Sequence, residues 1–191
     1  MLQAKGEKTR NEIIECAKNL FYHKGFESTS FSDIVDAARV NRGNIYHHFK
    51  SKDDILRAVV EQRLQEFAAL LAGWETQLSD PRERLIAFVH MVVSRQDELA
   101  RYGCPIGSLN TELGKDRPLL QHEARRLFDL FRDWLTRQLA LSGAADNSQA
   151  LALHLLGRAQ GIALMAHVYG DGAFLLRETA ELEQWLKSLF Q

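Results

Sequence analysis

The run Arg42-Gly43-Asn44-Ile45-Tyr46-His47-His48 concentrates side chains suited to reading nucleic acid. An arginine guanidinium grips guanine through two N–H groups, and an asparagine amide pairs with adenine in the same two-pronged way. Gly43 has no side chain, so the backbone there can approach a groove closely. Tyr46, His47 and His48 supply donors for phosphates or bases. A core position for Tyr46 is the competing reading. A metal site on His47-His48 is disfavoured, because adjacent residues do not share a helix face. No metal and no cofactor are expected.

Cys104 is the second candidate for chemistry. It stands in Tyr102-Gly103-Cys104-Pro105, just before a helix begins. Free N–H groups and the positive end of the helix dipole there favour a reactive thiolate, which points to a sensor cysteine. A small packed side chain is the plain alternative. Cys16, beside Ala17 and Leu20 inside a helix, is expected to be inert core.

These residues need helices to hold them. Ile13, Ala17, Leu20 and Phe21 form one apolar face of a first helix over about Lys8 to Lys24, with Gly25 as a left-handed stop. A short second helix over about Phe31 to Ala38 begins on Ser30, with Asp33 completing a capping-box-like pair. Phe31, Ile34, Val35 and Ala38 face inward. Arg39-Val40 is the turn. A third helix runs from about Arg42 to Phe49, capped by Asn41, with Ile45 and Phe49 inward. A fourth begins on Ser51-Lys52-Asp53-Asp54 and continues to about Ala72. Two short helices joined by a tight turn, the second with an exposed polar face, make a helix-turn-helix that can enter a major groove about 12 Å wide. Thr29, Ser30 and Ser32 at the start of the second helix, and Lys52 at the start of the fourth, complete the expected DNA-binding set, since free N–H groups at helix starts favour phosphate. Lys5, Lys8 and Arg10 add sequence-independent attraction.

Each of the three prolines stands just inside a helix start: Pro81 after Asp80, then Pro105 and Pro118. Asp146 to Gln149 reads as the cap of an eighth helix reaching about Tyr169. Gly170-Asp171-Gly172 precedes a ninth, to about Phe190. The expected fold is all-α with nine helices. Residues 1–52 form a helix-turn-helix domain and 53–191 a ligand-binding and dimerisation domain.

Composition agrees. The 191 residues are 46% hydrophobic and 26% charged, with a net charge of −1. Residues 1–60 hold ten basic against eight acidic side chains, and the remainder fourteen against seventeen. That polarity suits a protein that touches DNA with one end. The two cysteines lack metal-ligand spacing and fit a reducing, cytoplasmic compartment. The most apolar stretch, Leu151 to Tyr169, contains His154, Arg158, Gln160 and His167, which favours a buried helix over a membrane span. No strand signal and no repeat are present.

The order Gly25-Phe26, Ser28-Thr29-Ser30, Ile34, Ala37-Ala38, Ile45-Tyr46-His47-His48-Phe49, Lys50-Ser51-Lys52 resembles the TetR/AcrR family over about residues 8–60. The resemblance implies a homodimer that places two third helices in successive major grooves of a palindromic operator. It also implies a small-molecule effector site in the C-terminal helices. Arg39 departs from the family's usual glycine, and a left-handed arginine costs roughly 1 kcal/mol. The Gly-Cys at 103–104 resembles a subset that includes sensors of electrophiles or oxidants.

In the C-terminal region, Gly157 and Gly161 lie one helical turn apart, where close approach of another helix offsets glycine's poor helix propensity of about 1 kcal/mol. With Leu182, Leu186 and Leu189 they form the expected dimer face. Phe88, Met91, Phe131, Trp134 and Tyr169 are candidate effector contacts, with His154 and Arg158 as polar anchors. The function expected is a transcriptional regulator, chiefly a repressor released by a small-molecule or thiol-reactive signal. An enzyme is disfavoured, since no nucleophile–base pair or nucleotide loop is present. A protein-only adaptor has no need of Arg42, Gly43, Asn44 and Lys52 at these positions.

Overall fold

The computed structural model describes residues 2–190, with side chains from residue 6 onward. Among these the chain is helical, without strands: α1 (Leu2–His23), α2 (Phe31–Ala38), α3 (Arg42–His48), α4 (Lys52–Gln77), α5 (Pro81–Val93), α6 (Gln96–Tyr102), α7 (Pro105–Asp116), α8 (Pro118–Leu141), α9 (Ser148–Tyr169) and α10 (Gly172–Ser188). The nine-helix plan holds with one interruption. The helix opened by Pro81 ends at Val93, and the short α6 follows before Pro105. The prolines begin α5, α7 and α8, where a missing N–H costs nothing.

The chain folds as two compact units. One comprises the residues up to Gln65 together with Ser108–Arg126; the other comprises Glu66–Gly107 and Leu127–Gln191. In the first, Ile13, Ile14 and Ala17 of α1 are buried, as are Ile34 and Val35 of α2, Ile45 of α3 and Ile55, Leu56 and Val59 of α4. Full burial of each such aliphatic side chain is worth about 1.5–3 kcal/mol, which holds two helices as short as α2 and α3 in place. Phe26 is fully buried and meets Phe21 edge-on with centroids 5.1 Å apart.

The caps are local and mostly as the residue types dictate. Ser30 and Asp33 form a complete capping box. Asn41 Oδ1 accepts from Asn44 N–H at 2.8 Å, and Ser51 Oγ from Asp54 N–H at 3.1 Å. The exception is α9. Asp146 does not cap it; Ala145–Asn147 forms a single 3₁₀ turn, and Asn147 stands before the helix with no side-chain cap bond.

In the second unit α10 packs on α5, α6 and α9. Leu85, Phe88 and Val89 of α5, Leu155, Ala159 and Ala163 of α9, and Leu175, Leu182 and Leu186 of α10 are buried there. The apolar α9 is long enough to cross a membrane by length and composition. It instead lays one side on neighbouring helices and leaves Leu153, Leu164 and Val168 exposed.

Candidate nucleic-acid interface

The helix-turn-helix turns its polar face outward. Arg42, Gly43, Asn44, Tyr46 and His47 are exposed, while Ile45, on the opposite side of α3, and Phe49, the extended residue that follows the helix, are buried. Arg42 Nη2 donates to Ser32 Oγ at 2.9 Å, so the guanidinium is held against the start of α2. At Gly43 an added Cβ would meet only Asn41 Oδ1, at 3.4 Å. Internal packing therefore does not demand glycine there, and the small surface faces outward. Tyr46 takes a position between the two expectations: half its surface is exposed, and its ring stacks on Phe31 at 4.9 Å. The hydroxyl end is thus free of the core while the ring is fixed.

His47 and His48 stand edge to face at 5.2 Å. Burial, then His47 and Arg10, push the His48 imidazole below its ordinary basicity. The shift disfavours the charged imidazolium in the chain without DNA. Among the described residues no group of three or more His, Cys, Asp or Glu is placed to hold a metal.

Three expected contacts change character. Thr29 is fully buried, and its hydroxyl donates to Gly25 O at 2.6 Å, so it braces the α1–α2 turn and has no surface for DNA. Lys52 Nζ donates to Phe26 O at 2.7 Å and lies 4.2 Å from the centre of the Phe26 ring. Its cation is engaged within the fold. Ser30 is exposed, but its hydroxyl accepts from Asp33 N–H at 3.0 Å. Lys5 lies outside the described side chains. Lys8 pairs loosely with Glu12 at 3.9 Å, and the Arg10 guanidinium lies over Phe49 at 5.2 Å.

The comparisons with known proteins include this segment. Residues 13–59 match the family model for bacterial regulatory proteins of the tetR family. An uncharacterized HTH-type transcriptional regulator from the lacX 3' region of Lactococcus lactis subsp. lactis is 27% identical over 167 residues, 85% of each chain. The HTH-type transcriptional repressor KstR2 of Mycolicibacterium smegmatis is 36% identical over 80 residues, 40% of this chain and 37% of that one. A TetR-family transcriptional regulator from Agrobacterium tumefaciens has a solved structure that superposes with a TM-score of 0.81 at 27% identity, covering 94% of this chain and 97% of its own. The chain belongs to the TetR family. It is a transcriptional regulator of the helix-turn-helix, DNA-binding type.

In this TetR-family chain the residues expected to meet an effector fall into separate groups. Phe88, Phe131 and Trp134 are core: Phe131 lies 5.7 Å from Phe88 and 5.0 Å from Phe67, and Trp134 lies 5.7 Å from Trp74. Trp134 Nε1 is buried with no hydrogen-bond partner among the described residues. Met91 is half-buried. His154 and Arg158 instead gather on Trp185, at 4.7 Å and 5.6 Å, and Tyr169 is largely exposed at the end of α9. Sequence reasoning missed Trp74 as an aromatic partner, although its type and its place late in α4 were visible.

Cys104 is half-buried, and its Sγ accepts from Gly107 N–H and from Gln160 Nε2, each at 3.4 Å. Cys16 differs. Burial first, then Glu12 and Glu15, push its thiol up, which disfavours a thiolate.

The expected dimer residues divide. Gly157 and Gly161 are exposed, with no heavy atom within 4 Å of a Cβ built on either. Leu182 and Leu186 correct the expectation: they are 0% and 1% exposed, committed to this chain's own core by the packing of α10 on α5 and α9. Leu189 is half-buried.

Proposed function

We propose that this TetR-family regulator is a homodimeric repressor that binds a palindromic operator through residues 1–52 and is released by a signal acting on residues 53–191. The observation that carries the DNA half is the outward set Arg42, Gly43, Asn44, Tyr46 and His47 on a helix anchored in the core by Ile45 on its opposite side and by Phe49 at its end. Such an arrangement is what a recognition helix requires. The homodimer is supported by the exposed stripe Leu153, Gly157, Gly161, Leu164 and Val168 on α9, which repeats at helical spacing. Release needs only that the signal bind or modify one dimer geometry better than another, with a coupling of about 1–3 kcal/mol.

For the signal, two observations offer entry points. The unpartnered Trp134 Nε1 is a buried donor that an effector with an acceptor atom would satisfy. The Cys104 sulfur, with two N–H donors on it beside the start of α7, suits attack on an electrophile.

Gel-shift binding to the DNA upstream of the gene, at two salt concentrations and with Arg42→Ala alongside, tests the DNA half. Specific, salt-sensitive binding that the substitution weakens supports it; absence of specific binding there and in a genome-wide selection sinks it. Release by an electrophile that Cys104→Ser abolishes selects the thiol signal, and release by an electrophile that Cys104→Ser leaves intact rejects it.

A further inference from the structure

The turn that connects α1 to α2 is held by a side chain some eighty residues further along the chain. Glu112, in α7, accepts two backbone N–H groups on its carboxylate: Oε2 from Phe26 at 3.0 Å and Oε1 from Glu27 at 2.8 Å. From the carbonyl side, Lys52 Nζ donates to Phe26 O at 2.7 Å. Arg117 closes the arrangement, with Nε 3.2 Å from Glu27 Oε1 and Nη1 3.6 Å from Asp53 Oδ2. Gly25 is fitted to the same clamp. Its φ is +90°, and a Cβ there would sit 3.2 Å from Glu112 Oε1.

Two amides converging on one carboxylate form charge-assisted bonds, about twice as strong as neutral ones and sharply directional. They fix the path of the chain at Phe26 and Glu27. From there Thr29, bonded back to Gly25 O, leads directly to the Ser30 cap of α2. The clamp therefore stands directly before the start of α2, and the Ser32–Arg42 bond links α2 onward to the polar face of α3.

We propose that Glu112 is a positioning residue for operator recognition: by pinning the Phe26–Glu27 amides it sets the pose of the helix-turn-helix. This rests on the DNA-binding reading above. Glu112→Gln keeps the shape but exchanges one acceptor oxygen for an NH2 that faces an amide donor. Glu112→Asp keeps the charge but shortens the reach. Asp116→Asn, one turn further along the same helix, makes the same charge change as Glu112→Gln at a carboxylate that accepts neither of these amides.

The probe is a duplex that the wild-type protein selects from a random pool, with an unrelated duplex of equal length as reference. Both Glu112 variants are expected to lose about tenfold in affinity for the selected duplex, the loss of one charge-assisted bond. Their affinity for the unrelated duplex, which runs on phosphate charge, is expected to stay at the wild-type level, while the thermal midpoint falls by a few degrees because the bond is lost from the free fold as well. Amide exchange at Phe26 and Glu27, measured without DNA, is expected to accelerate in both variants and not in Asp116→Asn. Wild-type affinity for the selected duplex in both variants overturns the proposal, whatever the exchange shows. So does a parallel fall in both affinities, which marks a general folding role. If the wild-type protein selects no duplex at all, the DNA-binding reading fails and takes the proposal with it, and faster amide exchange then reports only a structural clamp.

Discussion

Arg42 Nη2 lies 2.9 Å from Ser32 Oγ, a bond that ties the recognition helix to the first turn of the helix before it. The residue best suited to grip guanine is therefore prepositioned by a neighbour that is itself half-buried. Arg42→Ala removes the base contact proposed for this side chain and is expected to weaken binding to a selected duplex by about 1–3 kcal/mol. Ser32→Ala leaves the guanidinium but frees it, and a smaller loss is expected. Titration of both variants on the same duplex checks the order; equal losses would place the whole effect in the pairing and none in the base contact.

The capping box at α2 makes a pH prediction. The Asp33 carboxyl is held down to about 2, first by the Lys24 ammonium bonded to it at 2.7 Å and then by the Ser30 backbone and hydroxyl. The group is more acidic in the folded chain than in the unfolded one, so its stabilising effect is complete above the ordinary carboxylate value. It is lost as pH falls toward about 2. Denaturant titrations of wild type and Asp33→Asn are expected to differ at neutral pH and to converge at the acid end. A difference that persists unchanged to that end would show that the cap acts without the charge.

Arg39 is the only non-glycine residue with positive φ among the described residues, at 52°, and it closes α2 as the left-handed cap. Arg39→Gly relieves the clash of Cβ with its own backbone and is expected to stabilise the chain by roughly 1 kcal/mol. A higher denaturation midpoint confirms this. If the same variant also binds DNA less well, the arginine is retained for its charge at the expense of stability.

Much of the first unit was legible because its signals are local. Ser30 with Asp33, Asn41 before Asn44 and Gly25 after α1 each act within a few residues, and the structure uses them as their chemistry dictates. What escaped was tertiary. Thr29 and Lys52 look from sequence like phosphate contacts, and only the folded turn shows a hydroxyl spent on Gly25 O and an ammonium on Phe26 O. Glu112 was invisible for the same reason, since nothing near it in the chain announces the two amides that it accepts. Leu182 and Leu186 carry the right apolar spacing for a helix face, but spacing does not say whether that face meets this chain or another.

The α9 stripe turns that last ambiguity into a measurement. Gly157 and Gly161 have open space where a Cβ would go, so Gly161→Ala meets no obstacle within one copy of the chain. Helix propensity then predicts a gain of about 1 kcal/mol in the stability of an isolated chain. If a second copy closes on this stripe, the added methyl stands between two backbones and dimerisation weakens, the more so for Gly161→Leu. Sedimentation over a concentration series is expected to show wild type as a dimer and Gly161→Leu shifted toward monomer, with its helical content retained. An unchanged dimer in Gly161→Leu would place the self-association surface elsewhere, and the exposed Leu153, Leu164 and Val168 would then need a different occupant.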